Sequence, residues 1–190
     1  MMSEHERRLP IHRRTLLATI GVVALAGCLG DDDERPAAID LTGEKFCDQC
    51  GMLIEAQPGP AGQVFYDGDV PDDREPPAWF CSGWCTYTYT FDRRADGVGV
   101  TVMYLTDYSG VDWSTSSEDG LSFISAHLEA AAFADADELT LVVGSELRGS
   151  MGPDLIGFSD QDDAATFQDS YGGEQYRHDA VTPELVGSLM

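Results

Sequence analysis

Two close pairs of cysteines constrain this chain more than any other feature of its sequence. Cys47 and Cys50 lie in "FCDQCGM", and Cys81 and Cys85 lie in "WFCSGWC". A Cys-x-x-Cys turn can direct two thiolates at one ion, and a second close pair can complete a tetrahedral set of ligands. The spacing therefore favours a metal site. Two disulfides, or a closed zinc site that only holds a small fold together, are the alternatives.

Two methionines indicate which metal such a site would hold. Met52 follows Cys50 after one glycine, and Met151 lies among small, turn-forming residues in "RGSMGP". Thiolate and thioether sulfur together select Cu(I), whereas zinc seldom uses a thioether. Methionine is also a common core filler, so packing is the alternative for both. The candidate metal ligands are thus Cys47, Cys50, Met52, Cys81, Cys85 and Met151, with Cu(I) as the ion and zinc at a structural cysteine site as a second option.

Residues 1–27 have the pattern of an export signal. Arg13 and Arg14 precede an apolar stretch of about a dozen residues that begins at Leu16, and small residues lead to Cys28. This stretch is too short to cross about 30 Å of hydrocarbon. The arginine pair resembles a twin-arginine signal, and "LAGC" resembles a lipoprotein processing box that makes Cys28 the lipidated residue. An ordinary cleavage site is the alternative for Cys28.

These features predict the organisation of the chain and its compartment. Residues 28–45 are predicted to be an acidic tether, and residues 46–190 a single domain of ordinary size. The lipid anchor would place that domain at the outer face of the cytoplasmic membrane, where thiols can oxidise.

Negative charge dominates the composition. The chain has 11 basic and 34 acidic residues; residues 1–27 hold four of the basic and two of the acidic ones, so the remainder carries 7 and 32, a net charge of −25. A phosphate backbone would be repelled, which argues against nucleic acid as a partner. Because the acids occur in nearly every segment, a halophilic, salt-adapted surface is favoured over a single acidic binding face.

The periodicity of apolar residues predicts a mixed α+β domain and not a doubly wound parallel sheet. Strands are predicted in "GQVFYDGD", "VGVTVMYLTDY", "ELTLVVGSEL" and "DLIGFS". A helix is predicted from Ser82 to Gly97, although Cys85, Tyr87, Tyr89 and Phe91 would also fit a strand. Further helices are predicted in "SDQDDAATFQDSYGG", with Ser159 or Asp160 at its start and Gly172 at its end, and in "TPELVGSLM".

Several segments in order resemble the NosL family of nitrous oxide reductase accessory proteins. They are "CDQCGMLI", "YLTDYSGVDW" and "LVVGSELRGSMGPDLIGFSDQDDAATFQDSYGG", and the resemblance spans roughly residues 46–187. Separately, "CDQCGM" with "FCSGWC" resembles the YHS and TRASH metal-binding modules, which are short treble-clef-like units.

The NosL resemblance implies an anchored metallochaperone, not an enzyme. It would deliver Cu(I) for assembly of the copper–sulfur centre of nitrous oxide reductase, with that enzyme or its maturation machinery as partner. The fold would be small mixed sheets with short helices, similar to organomercurial lyase. Within the family, copper binding is associated with the positions of Cys50, Met52 and Met151; Cys81 and Cys85 depart from a minimal member.

Two rival functions remain open at this point. One is a thiol-dependent enzyme, either similar to organomercurial lyase or a dithiol oxidoreductase built on Cys47 and Cys50. The other is a zinc-stapled interaction module. His127 and His178 are predicted to be surface or packed residues and not ligands, and Asp107 is a candidate to orient the cluster.

Overall fold

The computed structural model describes residues 35–68, 70–71 and 73–190. Residues 1–27 with Arg13 and Arg14, and also Cys28, lie outside these described residues, so their predicted roles stay predictions. Among the helices within the described ranges, none is both long and apolar enough to cross a membrane.

Short strands and three helices make up the described part of the chain. The strands are β1 (Gly62–Tyr66), β2 (Ala78–Phe80), β3 (Val100–Thr106), β4 (Thr115–Glu118), β5 (Leu121–Ile124), β6 (Phe133–Asp135), β7 (Thr140–Gly149), β8 (Gly152–Phe158) and β9 (Glu174–Arg177). The helices are α1 (Gly83–Ala95), α2 (Gln161–Tyr171) and α3 (Pro183–Gly187).

The strands form two small sheets. The first is antiparallel, in the order β2-β1-β3-β6. The second has the order β4-β5-β7-β8, with β9 also paired to β7, and it is mixed because β5 runs parallel to β7. A parallel bridge between Asp107 and Gly157 links the end of β3 to β8. The predicted α+β class, with small mixed sheets and short helices, is confirmed.

Local signals for the helices were read correctly from the sequence. Ser82 caps α1, since its hydroxyl accepts a hydrogen bond from the Cys85 N–H at 2.9 Å. The strand alternative for this segment is therefore excluded. Asp160 caps α2 in the same way, and Gly172 ends it with a positive φ of 72°.

Five strands were not predicted, and they are the shortest ones: β2, β4, β5, β6 and β9, each of three or four residues. β4 is exposed at all four positions, so it shows no alternation of apolar and polar residues. Such segments form strands because they pair with a neighbouring strand. The sequence pattern of three or four residues does not reveal this pairing.

Part of the segment predicted as a tether packs against the first sheet. The backbone of Ile39 exchanges two hydrogen bonds with the buried Gln63 side chain, at 2.8 and 2.9 Å. Leu41 is fully buried, and its N–H donates to the carbonyl of Leu128 at 2.7 Å. The ordered structure thus begins several residues before the first cysteine pair.

Candidate metal centre

The first cysteine pair lies in a tight turn. The Cys47 N–H donates to the Met52 carbonyl, and the Gly51 N–H donates back to the Cys47 carbonyl, both at 2.8 Å. Gly51 has a φ of +74°, the left-handed region that favours glycine. This turn brings the side chains of Cys47 and Cys50 to one side, which is what a metal knuckle requires.

The second pair brackets the start of α1. Cys81 follows β2 directly. Cys85 lies in the first turn of the helix, where its N–H donates a hydrogen bond to the Ser82 hydroxyl. The knuckle and β2 are joined by a hydrogen bond from the Asp48 N–H to the Trp79 carbonyl at 3.0 Å. A knuckle facing the first turn of a helix is the treble-clef-like arrangement that the sequence predicted.

All four thiols converge on one point. Their sulfur atoms lie within 4.8 Å of one another, with 3.5 Å between Cys50 and Cys81 and 3.9 Å between Cys81 and Cys85. Cys47, Cys81 and Cys85 are at most 3% exposed, whereas Cys50 is only partly buried. The predicted pairs therefore form a single site that is open at Cys50.

Hydrogen bonding within the cluster shifts the pKa values of Cys47, Cys81 and Cys85 in different directions. Hydrogen bonds from the Cys81 and Cys85 thiols lower the pKa of Cys47. The same hydrogen bonds raise the pKa values of Cys81 and Cys85, because those thiols act as donors. The hydrogen bonds thus favour the charged form at Cys47 and the neutral form at Cys81 and Cys85.

Both candidate methionines are partly buried and pack, as Cys50 does, against the hydrophobic cluster that contains Cys47, Cys81 and Cys85. Met52 belongs to the knuckle itself. Met151 lies at the tip of the β7–β8 hairpin, next to Ser150. The Ser150 hydroxyl donates to the Cys81 carbonyl at 2.8 Å and lies 3.2 Å from the Cys81 sulfur. The hairpin tip is therefore held at the cysteine cluster, although Met151 is 66 residues from Cys85 in sequence.

Comparison with known proteins decides the family of this chain. The family model for NosL matches residues 38–186, which include all six candidate sulfur ligands. The chain belongs to the NosL family. Similar NosL proteins are the copper-binding lipoprotein of Stutzerimonas stutzeri, 30% identical over 182 residues (90% of this chain, 81% of that protein), and that of Achromobacter cycloclastes, 26% identical over 177 residues (91% and 82%).

A solved NosL structure shares the fold. The crystal structure of the copper chaperone NosL from Shewanella denitrificans matches with a TM-score of 0.61 at 30% sequence identity. The match covers 78% of this chain and 96% of that one. The overall fold described above is thus shared with a NosL protein.

The histidines are packed, as predicted. His127 contacts the Ser125 hydroxyl at 3.0 Å through Nε2 and lies against the Tyr108 ring. His178 pairs with the Tyr87 hydroxyl at 2.8 Å, and burial lowers its pKa. The Asp107 carboxylate accepts hydrogen bonds from the N–H groups of Ser109 and Ser159, just before α2.

Two residues beside the cluster were not found from the sequence. Ser150 contacts Cys81, as described above. Asp154 is fully buried in β8 and accepts a hydrogen bond from the Trp84 N–H, at the start of α1. The available signals were the position of Ser150 next to Met151, and a charged residue within the otherwise apolar segment of β8.

Proposed function

We propose that this chain is a metallochaperone that binds Cu(I) at the cysteine cluster and passes it on. The observation that carries the proposal is the convergence of four thiols within 4.8 Å, with only Cys50 partly exposed and the Met151 hairpin alongside. Thiolate ligands suit both Cu(I) and zinc, and the added thioethers of Met52 and Met151 favour Cu(I). The names of the relatives, a copper-binding lipoprotein and a copper chaperone, support copper as the metal.

Transfer of the metal ion to a client protein requires a site that is accessible from one side. Cys50, Met52 and Met151 would form the accessible side of the ligand set, with Cys50 as its main thiolate, and the buried thiols of Cys47, Cys81 and Cys85 would complete the site. A ligand from the client protein could then enter at the exposed side before the last thiolate leaves. Free Cu(I) need never be released into solution.

A titration of Cu(I) against a competing chelator, under reducing conditions, tests this ligand set. Cys50→Ser should remove most of the Cu(I) affinity. Met52→Leu and Met151→Leu keep volume and apolarity, and each should weaken binding by about tenfold, equivalent to about 1.4 kcal/mol. Met190→Leu is the matched control, since Met190 is an exposed thioether at the C-terminus and should not matter.

A closed zinc site is the second candidate function. Four thiolates at about 2.3 Å from zinc would be about 3.8 Å apart, close to the 3.5 and 3.9 Å observed. If Cys81→Ser and Cys85→Ser abolish Cu(I) binding while both methionine variants behave as wild type, the site is a structural four-cysteine site. Tightly bound zinc that Cu(I) does not displace from the purified protein would also support this candidate.

We further propose nitrous oxide reductase as the client, on the strength of membership in the NosL family. Copper-loaded protein should fill the copper–sulfur centre of the apo enzyme faster than a Cu(I) buffer set to the same free-ion activity. Equal rates from the two copper sources would mean that the chain only stores copper for this enzyme.

The proposed location rests on residues 1–28 and on the lipoprotein names of two relatives. We propose that Arg13-Arg14 directs export and that Cys28 carries the lipid, at the outer face of the cytoplasmic membrane. Cys28→Ala should release the protein into the medium, and retention in the membrane would contradict the anchor. Changing Arg13-Arg14 to Lys-Lys should block export, whereas the same change at Arg7-Arg8 should not.

We propose that the chain acts by binding and not as an enzyme. A dithiol oxidoreductase would place Cys-x-x-Cys at the start of a helix, whereas Cys47 and Cys50 lie in a turn whose thiols face Cys81 and Cys85. Catalytic turnover of a dithiol substrate or of an organomercurial by the copper-free protein would refute this.

A further inference from the structure

Two segments, here called the two arms, carry candidate ligands: the start of α1 with Cys81 and Cys85, and the β7–β8 hairpin with Met151. Asp154 is a fully buried carboxylate between these two arms. It lies in β8, three residues after Met151. Its Oδ1 accepts hydrogen bonds from the N–H groups of Trp84 and Leu155, both at 2.8 Å. Trp84 is the second residue of α1, so Asp154 satisfies a free N–H at the start of the helix that carries Cys85.

The other oxygen of Asp154 faces the hairpin. Oδ2 is buried and has no hydrogen-bond partner. It lies so near Gly149 that a Cβ on that residue would be 2.1 Å away, and a Cβ on Gly83 would be 2.8 Å from Oδ1. The carboxylate thus fits only because both arms have a glycine beside it. A buried, unpaired polar atom costs free energy, so a purely structural residue of this kind would be a poor choice.

These contacts join the two arms of the site into one unit. On the thiol side, α1 follows Cys81 and carries Cys85 in its first turn. On the thioether side, the residue after Gly149 is Ser150, and Met151 follows. The hydrogen bond from Ser150 to the Cys81 carbonyl is a second link between the same two arms.

We propose that Asp154 is a positioning residue that holds the Met151 thioether at the thiol cluster for Cu(I). This inference rests on the proposed copper function. It assigns Asp154 no contact with the metal. The carboxylate keeps the hairpin tip and the start of α1 at a constant separation, so that Met151 does not have to be ordered when copper binds.

A double-mutant cycle separates this role from ordinary stabilisation. Asp154→Asn keeps the shape of the side chain and an oxygen that accepts from the Trp84 N–H, but it places an amide NH2 against Gly149 in place of Oδ2. It should lower Cu(I) affinity by about tenfold, as Met151→Leu does. The double variant should bind no more weakly than Met151→Leu alone, because the same thioether contact is lost in both cases.

A spectroscopic measurement provides the readout that stability alone would not change. X-ray absorption at the copper edge should show one sulfur neighbour fewer in Asp154→Asn and in Met151→Leu than in wild type. Cd(II) titration, followed by thiolate absorption, should show that the thiols remain intact in both variants. The control is Asp160→Asn, which changes the capping carboxylate of α2 and should leave Cu(I) binding as in wild type.

The outcomes distinguish this inference from the function on which it rests. If Met151→Leu weakens binding while Asp154→Asn has no effect, or if the two effects add fully, the positioning role is wrong and the copper site stands. If Met151→Leu has no effect, Met151 is not a ligand and the positioning role fails, whereas the copper function is then decided by the Met52 and cysteine variants. Should Asp154→Asn not fold, Gly149→Ala displaces the carboxylate without removing it and should give the same loss of one sulfur neighbour.

Discussion

Protonation of individual side chains sets how this site should respond to pH. Cys47 is the acceptor of hydrogen bonds from Cys81 and Cys85, which lowers the pKa of Cys47 and raises those of its two donors. Binding of a metal ion at Cys47 should therefore release fewer protons than binding at Cys81 or Cys85. Any second thiolate supplied by Cys81 or Cys85 must first lose its proton to solvent.

This difference predicts the proton release on copper binding. A Cu(I) site that uses Cys47 and one of the two raised thiols should release one proton at neutral pH. The affinity should then fall by about tenfold per pH unit on acidification. Competition titrations between pH 6 and 8 check the change in affinity. Proton release measured in weakly buffered solution checks the number of protons released per copper. Two protons per copper would show that Cys47 is protonated in the metal-free protein.

Asp154 should make the stability of the fold depend on pH. Burial raises its pKa to about 7, above that of an unfolded aspartate. The folded state therefore binds the extra proton between about pH 4 and pH 7, and stability is lost as the pH rises through this window. As the pH rises through this window, the free energy of unfolding of the wild type should fall by at most about 4 kcal/mol more than that of Asp154→Asn. Urea denaturation of the wild type and of Asp154→Asn at about pH 4 and pH 7 checks this prediction. An equal change in unfolding free energy with pH in the two proteins would contradict it.

Helix α1 and the β7–β8 hairpin are the elements that build the site. Clear local signals identify α1, because a capping serine, helical spacing of buried residues and a terminal glycine all occur within sixteen residues. β7 and β8 were predicted as separate strands, and the two residues between them form the turn that carries Met151. The role of this turn became visible only through its contact with Cys81.

Loss of the α1 cap should affect both stability and copper binding. Ser82 is fully buried, and Ser82→Ala removes the acceptor for the Cys85 N–H. Unfolding free energy should fall by about 1 kcal/mol, and Cu(I) affinity should fall because Cys85 is less well placed. Thr182→Ala removes the equivalent cap of α3 and is the matched control. It should cost stability without changing Cu(I) affinity; an equal loss of affinity in both variants would point to a general loosening of the fold.

Charge acts at the scale of the whole molecule. The chain beyond residue 27 has 32 acidic residues against 7 basic ones, and three ion pairs are found among the described residues. The carboxylates that remain repel one another unless salt screens them.

High salt should therefore raise the melting temperature. A gain of about 2 kcal/mol between dilute buffer and molar potassium chloride would raise Tm by about 6 °C in a domain of this size. An equal concentration of sucrose is the control, since it stabilises by exclusion without screening charge. A Tm that does not change with salt, or that rises as much with sucrose, would contradict charge repulsion as the cause.

Features that depend on neighbours along the chain can be predicted from the amino-acid sequence. Capping by Ser82 and Asp160, the glycine that ends α2 and the Cys-x-x-Cys knuckle each involve residues within a few positions, so a local pattern predicts them. The mixed α+β class followed from the same periodicities. Spacing and ligand chemistry supplied the six candidate sulfur ligands, and the family resemblance singled out Cys50, Met52 and Met151, but neither gave their arrangement in space.

Tertiary structure decided which of these residues meet. Whether Cys81 and Cys85 join the knuckle or form a separate site, and whether the hairpin tip reaches Cys81, depends on how the two sheets pack. The contact between Asp154 and Trp84 joins residues 70 positions apart. Spacing along the chain encodes only interactions within a turn or two, because the geometry between distant segments is set by the packing free energy of the entire core.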